Sequence, residues 1–101
     1  TNSLRVHDSI FDYIVSLVEA TRDSEFFTMG ASPRGANALL RMSRAMAVLS
    51  GRSYVVPEDI AEVFEAVLGH RVKLSAKAKA NGLTVGRALR EIRASVKVPR
   101  T

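Results

Sequence analysis

Between Ser32-Pro33 and Gly51 the chain carries a run that reads as one long helix, and that helix has to sit in the middle of something. Serine suits the N-cap, and proline suits the first helical position, where its missing N–H and fixed φ do no harm. A glycine just past the last periodic residue suits the end. Inside these limits Ala36, Leu39, Leu40, Met42, Ala45, Met46, Val48 and Leu49 wrap most of the circumference, leaving Arg34, Asn37, Arg41 and Arg44 as a narrow polar stripe. A helix apolar on most sides is a surrounded helix, so this one is predicted to be the central element of an all-α domain.

Its neighbours follow from the same rules. Residues 9–22 place Ile10, Ile14, Leu17, Val18 and Thr21 on one face and Asp12, Ser16 and Glu19 on the other, which predicts an amphipathic helix with Ser9 and Asp12 as a capping box. The stretch 23–32 is rich in breakers but carries Phe26, Phe27 and Met29, predicting a loop that packs down instead of floating. A third helix opens at Pro57, with Glu58 and Asp59 complementing its dipole, presents Ile60, Val63, Phe64, Val67 and Leu68, and stops at Gly69. Residues 75–81 allow one or two turns before Gly82. A last helix starts behind Thr84, buries Val85, Ala88, Leu89, Ile92 and Val96, and turns Arg87, Arg90, Arg93 and Lys97 outward until Pro99 blocks it. Segments 54–56 and 72–74 are the pair read as a short ribbon beside the third helix. The expectation is a small bundle of four main helices with one two-stranded ribbon.

At 101 residues and 47% hydrophobic the chain can bury a real core without a staple. It has no cysteine, so neither disulfides nor thiolate metal sites are available, and the cytoplasm is the default compartment. No apolar stretch approaches the roughly 20 residues of a membrane span, and no secretory signal opens the chain. Starting at Thr1 without methionine suggests a piece of a longer protein. The net charge of +5 conceals a division: residues 1–69 hold six Lys/Arg against nine Asp/Glu, and residues 70–101 hold nine against one. The basic third would suit nucleic acid, an acidic lipid surface or an acidic protein face, or simply water.

Chemistry-bearing patterns are few. A phosphate loop, a nucleophile elbow and a His-Glu-x-x-His pair are all missing from the sequence, and His7 and His70 lack ligand spacing, so no metal site is expected and both read as structural or surface histidines. Arg34 stands out. It occupies the second position of a helix whose free N–H groups already make that end partly positive, which disfavours a cation by up to about 1 kcal/mol. Read from the residues alone, it either begins the solvated stripe or joins the helix N-terminus in holding a polyphosphate.

Five segments in order, Ala20-Thr21-Arg22, Gly30-Ala31-Ser32-Pro33-Arg34, Gly51-Arg52, Val55-Val56-Pro57-Glu58-Asp59-Ile60 and His70-Arg71, resemble the C-terminal lid domain of MoxR-family AAA+ ATPases, with Mg-chelatase ATPase subunits as relatives. Each is weak alone; their joint order and spacing are specific. The resemblance covers residues 6–99 and leaves 1–5 and 100–101 as tails. It implies that Arg34 is the sensor-2 arginine, scaffolded by Ser32 and Pro33 and aimed at the γ-phosphate of ATP. The full-length protein would then bind ATP and Mg²⁺ in a core domain outside this chain, which alone would be catalytically silent. Expected partners are that core, neighbouring subunits of a homo-oligomeric ring, usually a hexamer, and a von Willebrand factor A protein, with chaperone-like remodelling as the output. Gly35 stands where the family commonly has alanine, which would leave Arg34 looser, and Lys77 and Lys79 stand where relatives often carry acids. Arg22, Arg52, His70 and Arg71 match the family without an assigned role. The alternative is a stand-alone basic helical module for nucleic acid; against it, the basic residues lack interleaved aromatics and no recognition helix is evident, so nucleic acid is the less favoured partner.

Overall fold

The structure is a computed structural model and describes residues 8–99. The tails at 1–5 and 100–101, together with His7, lie outside the described residues. Five helices and a two-stranded ribbon follow in the order α1 (Asp8–Asp23), β1 (Phe27–Met29), α2 (Pro33–Leu49), α3 (Pro57–Leu68), β2 (Lys73–Leu74), α4 (Ala76–Ala80) and α5 (Val85–Ser95). The all-α class with a small ribbon is therefore what the chain adopts.

α1 buries Ile10, Ile14, Leu17, Val18 and Thr21 as its periodicity requires, adding Tyr13. Its three fully buried aliphatics, Ile10, Ile14 and Leu17, contribute roughly 5–9 kcal/mol before ordering costs. The capping box is corrected: the helix already includes Asp8, so Ser9 lies inside the first turn and cannot be its N-cap. α3 buries Ile60, Val63, Phe64 and Leu68, and α5 buries Ala88, Leu89 and Ile92. Ser75 and Thr84 cap α4 and α5, accepting hydrogen bonds from the N–H groups of Ala78 (3.1 Å) and Arg87 (3.2 Å).

α2 packs chiefly on α3 and then on α1, but it is not enclosed. Met42, Val48 and Leu49 are exposed, Leu49 to 81%. The buried face consists of Gly35, Ala38, Leu39, Ser43 and Ala47, mostly small residues that let α3 approach closely. Counting large apolar side chains identified the helix and overestimated its enclosure.

The ribbon is also corrected. Residues 73–74 pair with Phe27–Met29, not with 54–56, antiparallel with Phe27 opposite Leu74 and Met29 opposite Lys73. Ser75 extends the contact, its N–H donating to the Phe26 carbonyl (2.8 Å) and its hydroxyl to that of Glu25 (2.9 Å). In the packed-down loop Phe27 is buried and Phe26 half-buried, whereas Met29 stays 60% exposed.

Candidate functional site

The segment carrying Arg34 is clamped to the end of α1. Thr21 is fully buried, and its hydroxyl donates to the Val18 carbonyl (2.6 Å) while accepting from the Ala31 N–H (3.0 Å). That hydroxyl satisfies a backbone donor which would otherwise be buried without a partner. Gly30 allows the approach: a Cβ there would lie 2.5 Å from the Arg22 Cα and 2.6 Å from the Thr21 carbonyl oxygen, both backbone atoms. Two of the five segments that carry the family resemblance are thus halves of one clasp. The Arg22 side chain is exposed, and nothing in the structure explains its identity.

From this clasp Ser32 takes the extended N-cap conformation and Pro33 the first helical position. The Ser32 hydroxyl makes no capping bond, and α2 has no acid in its first turn. Its open N-terminus is therefore left with a cation, Arg34, at the second position. Gly35 is not loose. It is buried, its N–H donates to the Ser32 carbonyl (2.8 Å), and a Cβ on it would sit 3.2 Å from the Ala31 Cβ, 3.3 Å from Leu68 Cδ2 and 3.6 Å from Arg71 Cδ.

Arg34 is exposed and lines an open depression of about 500 Å³ with Asn37, Leu40, Arg41 and Arg71. Beside it lies a second depression, of about 650 Å³, which shares Arg41 and Arg71 and adds Ala38, Met42, Ala66, Val67 and His70. Among the described residues no carboxylate lines either one. The ion pairs of the described residues are Arg52–Asp59, Lys77–Glu25 and Arg90–Glu65, so Arg34, Arg41 and Arg71 are in none of them. The ribbon explains the convergence. In the antiparallel register, the residues following Met29 and those preceding Lys73 leave from the same end, which carries the Arg34 segment and Arg71 together.

Other family-matching residues prove architectural. Arg52 pairs with Asp59, which is buried and also accepts from the Val56 N–H (2.8 Å), so that acid does more than complement a helix dipole. Gly51, at φ +77°, turns the chain so that the Arg52 N–H reaches the Ala47 carbonyl (2.9 Å). Glu58 remains exposed. The pair fixes the α2–α3 turn. Lys77 meets Glu25 at 3.7 Å with both side chains 73% exposed, a contact worth little.

Sequence reasoning placed Thr21 on the buried face of α1 and matched Arg71 to the family, but gave neither a role. A hydroxyl on an otherwise apolar helix face was the available signal for Thr21. For Arg71 the family match was the only signal, and it did not say that the residue lies beside Arg34, because that depends on a pairing between segments far apart in the chain.

The depression suits an anion with several oxygens: the side chains lining it offer three guanidinium groups and an amide, and no acid competes. Among the described residues no cluster of His, Cys, Asp or Glu could hold a metal ion, and no helix is long and apolar enough to cross a membrane.

Comparison with known proteins agrees with this architecture. The chain is 41% identical over 97 residues to the uncharacterised protein YeaC of Bacillus subtilis, covering 96% of this chain and 30% of that protein. It is 34% identical over 103 residues to the chaperone MoxR1 of Mycobacterium tuberculosis, covering 93% and 27%. The crystal structure of a Cytophaga hutchinsonii protein provisionally called an ATPase superimposes with a TM-score of 0.87 at 34% identity, over 98% of this chain and 33% of that one. The chain thus spans about a third of the proteins it matches. The AAA lid domain family model matches residues 19–92, most of the chain. A helical domain built on the Thr21–Ala31 clasp, matched in sequence by MoxR proteins and in shape by that structure, belongs to the AAA lid domain family as the lid of a MoxR-type AAA+ ATPase.

Proposed function

We propose that this lid senses the nucleotide of its parent ATPase through Arg34, acting as the sensor-2 arginine toward the γ-phosphate of ATP held in a core domain outside this chain. One observation carries the reading: Arg34 is exposed at the uncapped N-terminus of α2, in a depression without carboxylates, and joins no ion pair among the described residues. A guanidinium committed to an intradomain acid could not report on a phosphate. The clasp through Thr21 and the N-cap geometry of Ser32 and Pro33 fix where Arg34 leaves the backbone; the side chain does the reporting. Sensing requires Arg34 to favour the triphosphate over the diphosphate state, since only a differential contact shifts the lid between orientations.

The described residues lining the depression offer N–H donors to phosphate oxygens and no carboxylate to a cation, so the Mg²⁺ that accompanies ATP would be held by residues of the core domain. When bound, that ion neutralises phosphate charge. Exposed Met42, Val48, Leu49 and Tyr54 offer apolar area for the parent's core domain or a neighbouring subunit. Coupling around a homo-oligomeric ring, hexameric by family habit, with chaperone-like remodelling and a von Willebrand factor A partner in the cytoplasm, completes the reading.

The test is Arg34→Ala in the full-length ATPase. ATP turnover should fall about 10²-fold or more, as when a charge-stabilising donor is removed from a transferring phosphate, with the helical circular dichroism signal unchanged. Unchanged turnover together with unchanged ATP affinity removes the sensor assignment.

A further inference from the structure

We propose that Arg71 is a second phosphate-binding residue of this lid, so that the ligand is gripped by two arginines from different elements, with Arg41 completing the wall. This rests on the reading of Arg34 given above. Arg71 follows α3 directly, and its backbone N–H is fixed to the Leu68 carbonyl at 2.9 Å. Its stem lies against Gly35, the residue after Arg34, with Cδ 3.6 Å from where a Cβ would project. That distance is ordinary van der Waals contact, so the stem packs beside the start of α2, and the tighter neighbours of position 35 are Ala31 and Leu68. Arg34, Arg41 and Arg71 line one depression without a carboxylate, although the chain pairs Arg52 and Arg90 with acids elsewhere. Like charges gathered without a counterion favour an anion with several negative oxygens. Two forks of N–H donors carried on different elements suit the branched oxygens of a polyphosphate better than a single planar carboxylate.

The probe is inorganic tripolyphosphate, titrated at low ionic strength into the 101-residue chain and followed by amide shifts in nuclear magnetic resonance. Shifts should saturate and centre on residues 34–37 and 70–72. Arg71→Ala should weaken binding about 5-fold, as Arg34→Ala does, the size expected of a solvent-exposed charge-assisted contact. Arg71→Lys should recover part of the loss, and Arg87→Ala on α5, the control for total charge, should cost less than about 2-fold. Tripolyphosphate should also outcompete citrate at matched ionic strength. If Arg71→Ala behaves like Arg87→Ala while Arg34→Ala still weakens binding, the inference is overturned and the Arg34 reading survives. If all three variants weaken it equally, the binding is only diffuse charge attraction and the Arg71 proposal is overturned, with Arg34 again decided by turnover in the ATPase. Absence of saturable binding, or equal affinity for citrate, overturns the Arg71 proposal and leaves Arg34 to be decided by turnover in the ATPase.

Discussion

Replacing Thr21 by valine asks whether the clasp, and not the helix it precedes, sets the position of Arg34. Valine matches threonine in shape, so the change opens no cavity. It removes one hydroxyl that serves two backbone groups, the Val18 carbonyl at 2.6 Å and the Ala31 N–H at 3.0 Å. The carbonyl keeps its helical bond from the i+4 amide. The Ala31 N–H is left with no partner in a residue that is fully buried. An unsatisfied buried donor costs about 1–3 kcal/mol, which for a domain of this size lowers the melting temperature by roughly 5–20 °C. Thermal unfolding measures that loss, and hydrogen exchange localises it: the Ala31 amide should exchange faster in Thr21→Val than in wild type, by more than global destabilisation requires. Thr21→Ser keeps the hydroxyl and loses one buried methyl, about 0.8 kcal/mol, so it should retain Ala31 protection. A valine variant as stable as wild type, with Ala31 protection unchanged, refutes the clasp.

Three other perturbations probe the scaffold. Asp59→Asn should cost about 2–3 kcal/mol in urea unfolding, below the range for a fully buried pair because the Arg52 side chain is 25% exposed; a loss under about 0.5 kcal/mol would show the pair to be ornamental. Ser43 is fully buried on α2 with a hydroxyl that has no partner among the described residues, so Ser43→Ala should be neutral or stabilise by up to about 1 kcal/mol, and clear destabilisation would reveal a bond that the hydroxyl does make. Burial raises the phenol of Tyr13 above 10.0, with Arg93 pulling partly the other way. Above that pH the unfolded chain releases its proton first, so stability is fully present below pH 10 and declines as pH rises through the folded value; Tyr13→Phe should flatten this alkaline loss, and an unaltered profile would assign it elsewhere.

The parts of the fold legible in the sequence are those announced by local punctuation. Pro33, Gly51, Pro57 and Thr84 mark helix ends through φ restriction, positive φ or a capping hydroxyl, each an effect confined to about one turn. The ribbon was not legible because β1 is three residues inside a breaker-rich stretch, and its partner is found only after two intervening helices. Nothing local separates that pairing from the one expected with residues 54–56. The same division runs through the site. Arg34 could be found because a cation at a helix N-terminus breaks a local rule, whereas the neighbourhood of Arg71 is a consequence of the non-local register. Thr21 lies between: its place on the buried face was readable, and its partner was not.

Site and scaffold separate energetically as well. Two guanidinium groups about one Debye length apart, ~8 Å at physiological salt, repel by roughly 0.5 kcal/mol in water before screening. A few such pairs remain small against the 5–15 kcal/mol typical of a folded domain, so the fold tolerates the arginine cluster without an anion and needs no acid to neutralise it. The clasp at Thr21 and the pair at Asp59 are different in kind, because both hold buried polar groups whose loss cannot be made good by water. Removing the positive charge of Arg34 should therefore leave the domain as stable as before, or slightly more so, while turnover falls; removing the Thr21 hydroxyl should weaken the fold and misplace the same arginine. An Arg34→Ala variant that melted several degrees lower would mean that its side chain belongs to the scaffold, and a sensor assigned on its freedom would lose its physical basis.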